Sequence, residues 1–519
     1  MNKSIKALLP LLCVGLLASC ANNSGSSSSN PAGTDSTETT TPGGDDTNTG
    51  GGENDDYVPY FGEAGEHEPV TINLWTTAGD DMQAILKNYV KAFEEVEPNI
   101  VVNNQKVSGD YDTLKSNILT GFASGDYPDI AYAYPDHVAE YIYNLKQVDL
   151  TDYINDPVYG LTDIDDFVPA FIEEGQRYAY EGTYSLPFSK STEAMFYNPI
   201  LETLDLSEVD STINGNGILT REYLQNLTWE ELFNRLCPAL VAYNETLPEG
   251  SKIWDDSGQY SAIVGYDSDD NLFITLAEQY GCAYTSIDET THRGSIDFNN
   301  VGMKSIMKMF NEAAQKKYFI TKGSAGGEYV NTYFTQNQIL FSIGSTGGMS
   351  HQYSATAGFT PTVARVPQAE DGKLALMSQG PSMTILKHEG ADSADRIMAA
   401  WLFYRFMVNP SNSTAWAVNS TGYMPIRYST YTTAEYQEIC SETGKKGVDV
   451  LYARGQTYCA DPDVTDCMFT SPVFVGSSTA RQSVGGLVTQ VINAGSSLTD
   501  ERLDELFADA ENTAKLAIH

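Results

Sequence analysis

The sequence predicts an α/β protein built in two or three lobes. From residue 70 onward, strand-like stretches alternate with amphipathic helical ones, the pattern of parallel α/β layers. The chain has 519 residues, more than one hydrophobic core usually organises. No fixed-period repeat is present, which argues against a solenoid or a propeller.

The elements follow in order. Residues 70–75 (VTINLW) alternate apolar and polar side chains, as a half-buried strand does. Met82, Ile85, Leu86, Tyr89, Val90 and Phe93 fall at helical spacing, and Pro98 stops that helix. A second strand is expected near 100–107, a helix over 111–124 with Gly125 as its cap, and a third strand over 129–134. Thr228 to Glu231 form a capping box, opening a helix that Pro238 should kink or stop. Short strands are expected at 263–266, 338–345 and 382–386. Helices are expected at 303–317 and at the C-terminus, where Leu503, Leu506, Phe507, Ala510 and Ala514 share a face.

The N-terminus carries different information. Lys3 and Lys6 precede an uncharged run from Ala7 to Ser19, too short to span a bilayer but suited to a signal peptide. Leu17-Ala18-Ser19-Cys20 then meets a tract that is mostly Ser, Thr, Gly, Asn, Asp and Glu, without Lys or Arg up to about His67. Such a tract buries no core and is expected to be disordered, with an end-to-end reach of about 35–40 Å. Residues 1–19 are assigned to the leader and 20–68 to a linker.

The net charge is −39, from 69 acidic and 30 basic residues. Nucleic acid is excluded as a partner, because phosphate binding needs a concentrated basic surface. Adhesion to anionic lipid through charge is disfavoured for the same reason.

Motifs for covalent or metal chemistry are absent. There is no P-loop, no HExxH and no GxSxG, and the six histidines are scattered. No metal and no cofactor is expected. Asp267, Asp269, Asn271 and Glu278 occupy calcium-loop positions, but Leu272 replaces the turn glycine, so an acidic helix N-terminus is the preferred reading. After the leader five cysteines remain, without a CxxC pair; Cys459 and Cys467 suit either a local disulfide or buried thiols.

Several segments together carry a resemblance. LLASC resembles the lipobox of bacterial lipoproteins, in which the cysteine, here Cys20, is acylated and becomes the new N-terminus. In the body, the segments are INLWTTAGDDMQAILKNYVKAFEEVEPNI, GDYDTLKSNILTGFASGDYPDIAYAYPD, SLPFSKSTEAMFYNP, YFTQNQILFSIGSTGG and NPSNSTAWAVNSTGYMPIR. They resemble the family 1 extracellular solute-binding proteins of bacterial ABC importers, which take up sugars and glycerol 3-phosphate. LPFSKST and TGYMPIR resemble the glycerol-phosphate and glycerophosphodiester binders more than the maltose binders.

The resemblance implies a two-lobe periplasmic-binding-protein-like fold of type II, maltose-binding-protein-like, with a hinge and an interlobe cleft. Lobe 1 is expected to comprise 69–188 plus 346–386, and lobe 2 189–345 plus 387–519. Crossings are expected near 186–191, 343–346 and 386–390. It implies ligand contacts from Tyr111, Tyr134 and Asp136 of the first lobe, Ser345 at the hinge, Gly380 where backbone meets ligand, and Tyr423 closing from the second lobe. Ser189 and Ser191 follow Pro187 at a strand-to-loop change, where exposed hydroxyls suit a polyol; ordinary turn polarity suits them too, as a core position suits Tyr423. Lys190 departs from the phosphoester binders, which have serine there, and DSDDNLF replaces their tryptophan-rich stretch. Acid at that place favours a neutral sugar; Arg427 and Arg481 are the candidates for pairing with a phosphate.

The expectation is therefore a monomeric, lipid-anchored protein on the outer face of the cell membrane. It binds a carbohydrate, or alternatively a glycerol phosphate compound, and delivers it to the transmembrane subunits of an ABC permease. A secreted glycan hydrolase and an adhesin with a degenerate cleft are the readings from other classes.

Overall fold

The computed structural model describes residues 57–518, apart from Glu289 and Thr421. The leader, Cys20 and most of the linker lie outside the described residues. The strands are β1 (Val70–Thr76), β2 (Ile100–Lys106), β3 (Ile130–Ala133), β4 (Leu186–Pro187), β5 (Glu193–Tyr197), β6 (Ala262–Tyr266), β7 (Thr285–Asp288), β8 (Arg293–Ile296), β9 (Phe319–Thr321), β10 (Ile339–Ser345), β11 (Thr362–Ala364), β12 (Leu376–Met377), β13 (Ser382–Ile385) and β14 (Met468–Phe469).

Two five-stranded sheets form the centres of two lobes. The first runs β2-β1-β3-β13-β4; β1 is parallel to β2 and β3, whereas β13 is antiparallel to β3 and β4. The second runs β11-β5-β10-β6-β9, parallel across β10, β6 and β9 and antiparallel at β5 and β11. Helices cover both. Asp80–Val96 buries Leu86 and Phe93, and Phe93 meets Phe403 and Phe406 at ring separations of 5.0 and 5.5 Å. Ser477–Ala494 packs with Asp269–Gln279, Val301–Gln315 and Asp500–Lys515 over the second sheet. Only half of the capping box forms: Thr228 Oγ1 accepts from the Glu231 amide, but the Glu231 carboxylate accepts from Tyr223 and Arg235 instead of reaching back, and Pro238 is accommodated by a widened turn over Leu232–Leu236 instead of ending the helix.

Three expectations change. The first concerns lobe membership. The chain does cross between sheets at 188–192, but it does not leave the second lobe after β10. Thr346–Gln352 curls into a 3-10 turn and β11 returns antiparallel to β5, so 362–364 belong to the second sheet. Second, the chain does not cross at 386–390. Ser393–Met407 buries Ala399, Ala400, Trp401, Phe403 and Tyr404 and packs against β1 and β13, which keeps it with the first lobe. Its apolar face requires a sheet to cover, and the nearest is the one β13 has just completed. Third, the linker orders before His67. Phe61 is buried, Tyr57 donates to the Glu97 carboxylate, and Asn99 Nδ2 donates to the carbonyls of Phe61, Gly62 and Glu63. Aromatic anchors and a satisfied backbone hold what composition alone marked as disordered.

The crossings are tied by one buried ion pair. Lys190 Nζ lies 2.6 Å from Glu174 Oε1, with the two side chains 0% and 1% exposed. Lys190 also donates to the Gly380 carbonyl at 3.0 Å, and Glu174 accepts from Ser378 at 2.9 Å and Ser382 at 3.2 Å. Removing one partner strands the other charge in the interior, which costs about 3–5 kcal/mol. Lys190→Met is expected to lose stability on that scale in denaturant unfolding, and Lys190→Met with Glu174→Gln to recover part of it. A single variant with an unchanged midpoint would show the pair to be dispensable.

Candidate functional site

Strand ends and helix starts meet between the two sheets, as expected for a crevice in an α/β fold. From the first lobe, Asp110 caps Tyr111–Ser124 by accepting from the Thr113 amide at 2.8 Å, and Tyr134 precedes Pro135–Tyr143 directly after β3. This sets the Tyr111 and Tyr134 rings edge to face, 4.8 Å apart at 88°. Asp136 sits in the first turn beside Tyr134. From the second lobe, β6 runs into Asp267–Asn271, β10 runs into Ser345, and Arg481 reaches in from Ser477–Ala494. At the crossing, Ser191 and Gln379 exchange backbone hydrogen bonds of 2.9 and 2.8 Å.

The cleft contains two adjoining cavities. One, of about 570 Å³, lies between the lobes and is lined by Tyr111, Tyr134, Asp136, Ser191, Ser345, Gly380, Tyr423 and Arg481. The other, of about 940 Å³, extends along the second lobe past Glu193, Asp267, Asp269, Asp270 and Tyr329. Residues such as Tyr134, Asn271, Ser345 and Gln379 belong to both.

Of the sequence-predicted ligand contacts, the structure brings together Tyr111, Tyr134, Asp136, Ser191, Ser345, Gly380, Tyr423 and Arg481, and leaves out Ser189 and Arg427. Ser189 is fully buried beneath the cleft, its Oγ 3.2 Å from the Tyr132 hydroxyl. Ser191, two residues on, keeps its hydroxyl at the cavity wall, 3.2 Å from Ser345 Oγ. Gly380 has φ +81°, and a Cβ there would lie 1.9 Å from the Ser189 carbonyl oxygen, so the crossing itself demands glycine. Tyr423 enters from the stretch after Pro410–Asn419, where the chain leaves the first lobe, and its hydroxyl meets that of Tyr111. Arg427 lies elsewhere: it is buried, stacks on Phe167 at 4.0 Å, and donates to Val408 O and Asp163. It is a structural cation and cannot reach a ligand's phosphate.

Sequence reasoning did not single out Gln379, Tyr329, Lys322 or Gln352. Only the DSDDNLF stretch carried a signal, as an acidic replacement after β6. Its carboxylates have separate partners: Asp267 Oδ1 accepts from the Val330 amide at 2.7 Å, Asp269 from Thr321, Gly323 and Thr489, and Asp270 from Ser268 and Arg481. The helix starts at Asp269, so the calcium-loop spacing reads as a helix N-terminus. The five cysteines are free thiols; no bond joins Cys459 to Cys467.

Electrostatically the cleft is acidic, with its cations engaged. Arg481 Nε contacts Asp270 Oδ2 at 2.8 Å, and its other nitrogen donates to Asn271 Oδ1. Burial alone would lower that guanidinium's affinity for its proton; Asp270 and Asp136 outweigh it. Lys322 Nζ sits 3.6 Å from the centroid of the Tyr329 ring, a cation–π contact. Behind Arg481, Asn271 Nδ2 donates to Glu193 at 3.2 Å, and Tyr266 donates to the other Glu193 oxygen.

Burial pushes the Glu193 carboxyl up to about 7, against the lowering effect of the Tyr266 and Asn271 bonds. A raised folded value means that the native state holds the proton more tightly. Glu193 therefore contributes full stability below its ordinary value of 4.5, and that contribution is lost as pH rises through about 7. Glu193→Gln is expected to flatten this component, of roughly 3 kcal/mol by linkage. Melting curves from pH 5 to 8 at fixed ionic strength check it; parallel pH profiles for the two proteins contradict it.

The architecture has known counterparts. The structure of UgpB from Mycobacterium tuberculosis, in complex with glycerophosphocholine, superposes with a TM-score of 0.61 at 17% identity, covering 86% of this chain and 98% of that one. The GacH receptor of Streptomyces glaucescens, solved unliganded and with acarbose, gives 0.61 at 16% identity, covering 87% and 99%. The sugar-binding protein MalE from Xanthomonas citri gives 0.62 at 14% identity, covering 86% and 98%. At these identities the likeness defines the fold, the type II arrangement of maltose-binding-protein-like molecules. No curated protein sequence matches the chain. The family profile described as bacterial extracellular solute-binding protein matches residues 88–439, and the chain belongs to that family.

Proposed function

We propose that the protein is the lipid-anchored, substrate-capturing component of an ABC importer, and that its solute is a carbohydrate without an anionic group. The observation that carries the choice of solute is the charge state of the cleft. Asp136, Glu193, Asp267, Asp269 and Asp270 line it against two cations, Arg481, held by Asp270, and Lys322, lying over the Tyr329 ring; Arg427 and Lys190 are buried in ion pairs outside it. A phosphate entering there would meet five carboxyl groups against two cations, each already in contact with a neighbouring side chain. A sugar instead offers hydroxyl donors to those acceptors, and the rings of Tyr134, Tyr329 and Tyr423 offer faces to its apolar side.

Capture requires no covalent step. The two lobes present different groups to the cleft, so a ligand touching both gains contacts as they approach, which biases the protein toward closure. Cys20, acylated after leader removal, anchors the chain at the outer face of the membrane. The linker lets the body meet the permease. The protein works as a monomer. Among the described residues no helix is long and apolar enough to cross a membrane.

The test uses the mature chain with Cys20→Ala, screened for thermal shifts against neutral mono- and oligosaccharides and glycerophosphodiesters. A true ligand at a hundredfold excess over its Kd adds about 2.7 kcal/mol. Tyr423→Ala and Ser191→Ala are each expected to weaken that ligand about tenfold, ~1.4 kcal/mol, by calorimetry, with the fold kept. Shifts from phosphodiesters alone, or hydrolysis of chromogenic glycosides, would reject the carbohydrate-capture reading. In cells, Cys20→Ala is expected to release the protein from the membrane fraction.

A further inference from the structure

The segment 57–69, where the linker meets the body, lies on the first lobe over a receptor whose polar groups serve it alone. The receptor is the turn Glu97–Asn99, between the helix Asp80–Val96 and β2. Asn99 is 2% exposed and Glu97 is fully buried. Among the described residues, the hydrogen bonds of both side chains go to this segment. Asn99 Nδ2 donates to the carbonyls of Phe61, Gly62 and Glu63 at 2.9, 3.0 and 2.8 Å, and its Oδ1 accepts from the Gly65 amide at 3.0 Å. The Glu97 carboxyl accepts from the Tyr60 amide at 3.1 Å and from the Tyr57 hydroxyl. Tyr60 also meets Tyr159 edge to face at 5.0 Å. Apolar contact alone would let the segment slide, whereas two buried side chains bonded to it specify where it lies. The sequence marks the same boundary: residues 21–56 contain no aromatic residue and 57–61 contain three.

The place matters as much as the bonds. Tyr111 and Tyr134 follow the carboxyl ends of β2 and β3, where the cleft lies, whereas Asn99 precedes the amino end of β2. The seven residues of β2 put about 20 Å between the two ends. β2 is also an edge strand, and β4, which leads into the crossing, is the opposite edge. The segment therefore grips the first lobe at the corner remote from both cleft and crossing. Val70 comes next in the chain and begins β1, which pairs with β2 and β3. A pull arriving at Val70 would act on β1 itself and draw it out of the sheet. With 57–69 docked, the pull reaches Tyr57 first, and the Glu97–Asn99 turn takes it.

We infer that residues 57–69 are a load-bearing strap, which fastens the membrane tether to the first lobe at its pole away from the cleft, shields β1 from the pull and leaves the second lobe free to swing. The inference rests on the lipid-anchored reading of the linker and adds to it the point of attachment. Tension on the tether then enters only the first lobe, through a turn that no ligand touches.

Hydrogen exchange read by mass spectrometry on the mature chain with Cys20→Ala tests the strap, and single-molecule pulling between handles at residue 20 and the C-terminus tests the load path. In the parent, the amides of Tyr60, Gly62 and Gly65 are expected to exchange at least tenfold more slowly than in a free peptide of the same sequence. Under load the strap is expected to leave as the first step, its 13 residues lengthening the chain by up to about 45 Å. Asn99→Ala is expected to bring those amides within threefold of the peptide rate and to abolish the step. Phe61→Ala changes the strap and not the lobe beneath it, and carries the test if Asn99→Ala does not fold. Peptide-rate exchange in the parent, or β1 leaving the sheet before or together with the strap, overturns the inference. A Cys20→Ala chain that stays in the membrane fraction rejects the lipid anchor, and with it the membrane end of this inference, even where the strap amides are protected.

Discussion

The Lys190–Glu174 pair is the constraint around which the two lobes are joined. Two charges are removed from water at the point where the chain passes from one sheet to the other, and each is satisfied completely only by the other's presence. Glu174 gathers Ser378 and Ser382 as well, and Lys190 holds the Gly380 carbonyl, so the outgoing crossing at 188–192 and the returning one at 378–382 are fixed to the same two side chains. A pair of apolar side chains could fill the space, but it would not specify which backbone groups meet there. The hydrogen bonds of an ion pair do. Gly380, pressed against the Ser189 carbonyl at φ +81°, shows how little slack the arrangement leaves.

That junction also explains the cleft's chemistry. A cation placed beside a cavity normally advertises an anion site. Here the chain consumes its cations in structure, apart from Lys322, which lies over the Tyr329 ring at the cavity wall. Lys190 is internal, Arg427 is sandwiched between Phe167 and the Asp163 carboxylate, and Arg481 is braced by Asp270 and Asn271. What remains facing the cavity is mostly acceptor oxygen and tyrosine. The overall acidity of the chain, −39, is therefore not only a surface property; it reaches the wall of the cleft.

Much of this was legible in the sequence, for identifiable reasons. β1 and the helices with one apolar stripe announced themselves through alternation and helical spacing, because each has a dry and a wet side. β5 did not, since all of Glu193–Tyr197 is buried and a strand covered on both faces shows no alternation. Lobe membership after β10 failed for a different reason: whether a chain crosses or turns back is decided by a tertiary partner, here β5 for β11 and the first sheet for Ser393–Met407. In the site, motif-borne residues such as Tyr111, Tyr134, Ser191 and Tyr423 were found together. Gln352 and Tyr329 were not, because a lone polar or aromatic residue in a loop gives no local sign that distant strands will set it at a cavity wall.

The placement of Glu193 links the junction to the cleft. It is the first residue of β5, immediately after the crossing, and its carboxylate is bound by Tyr266 at the end of β6 and by Asn271, which also holds Arg481. Its carbonyl accepts from the Tyr458 hydroxyl at 2.9 Å. The strand that leaves the crossing, the strand that ends at the acidic loop and the helix that carries Arg481 are therefore fastened through one buried carboxylate. Arg481 and Asp270 are thus linked to the start of β5 through Asn271 and Glu193. In the proposed closure, then, the second lobe is expected to move as one piece about the pinned crossing, where Ser191 and Gln379 are joined by backbone bonds and line the wall that a ligand would touch.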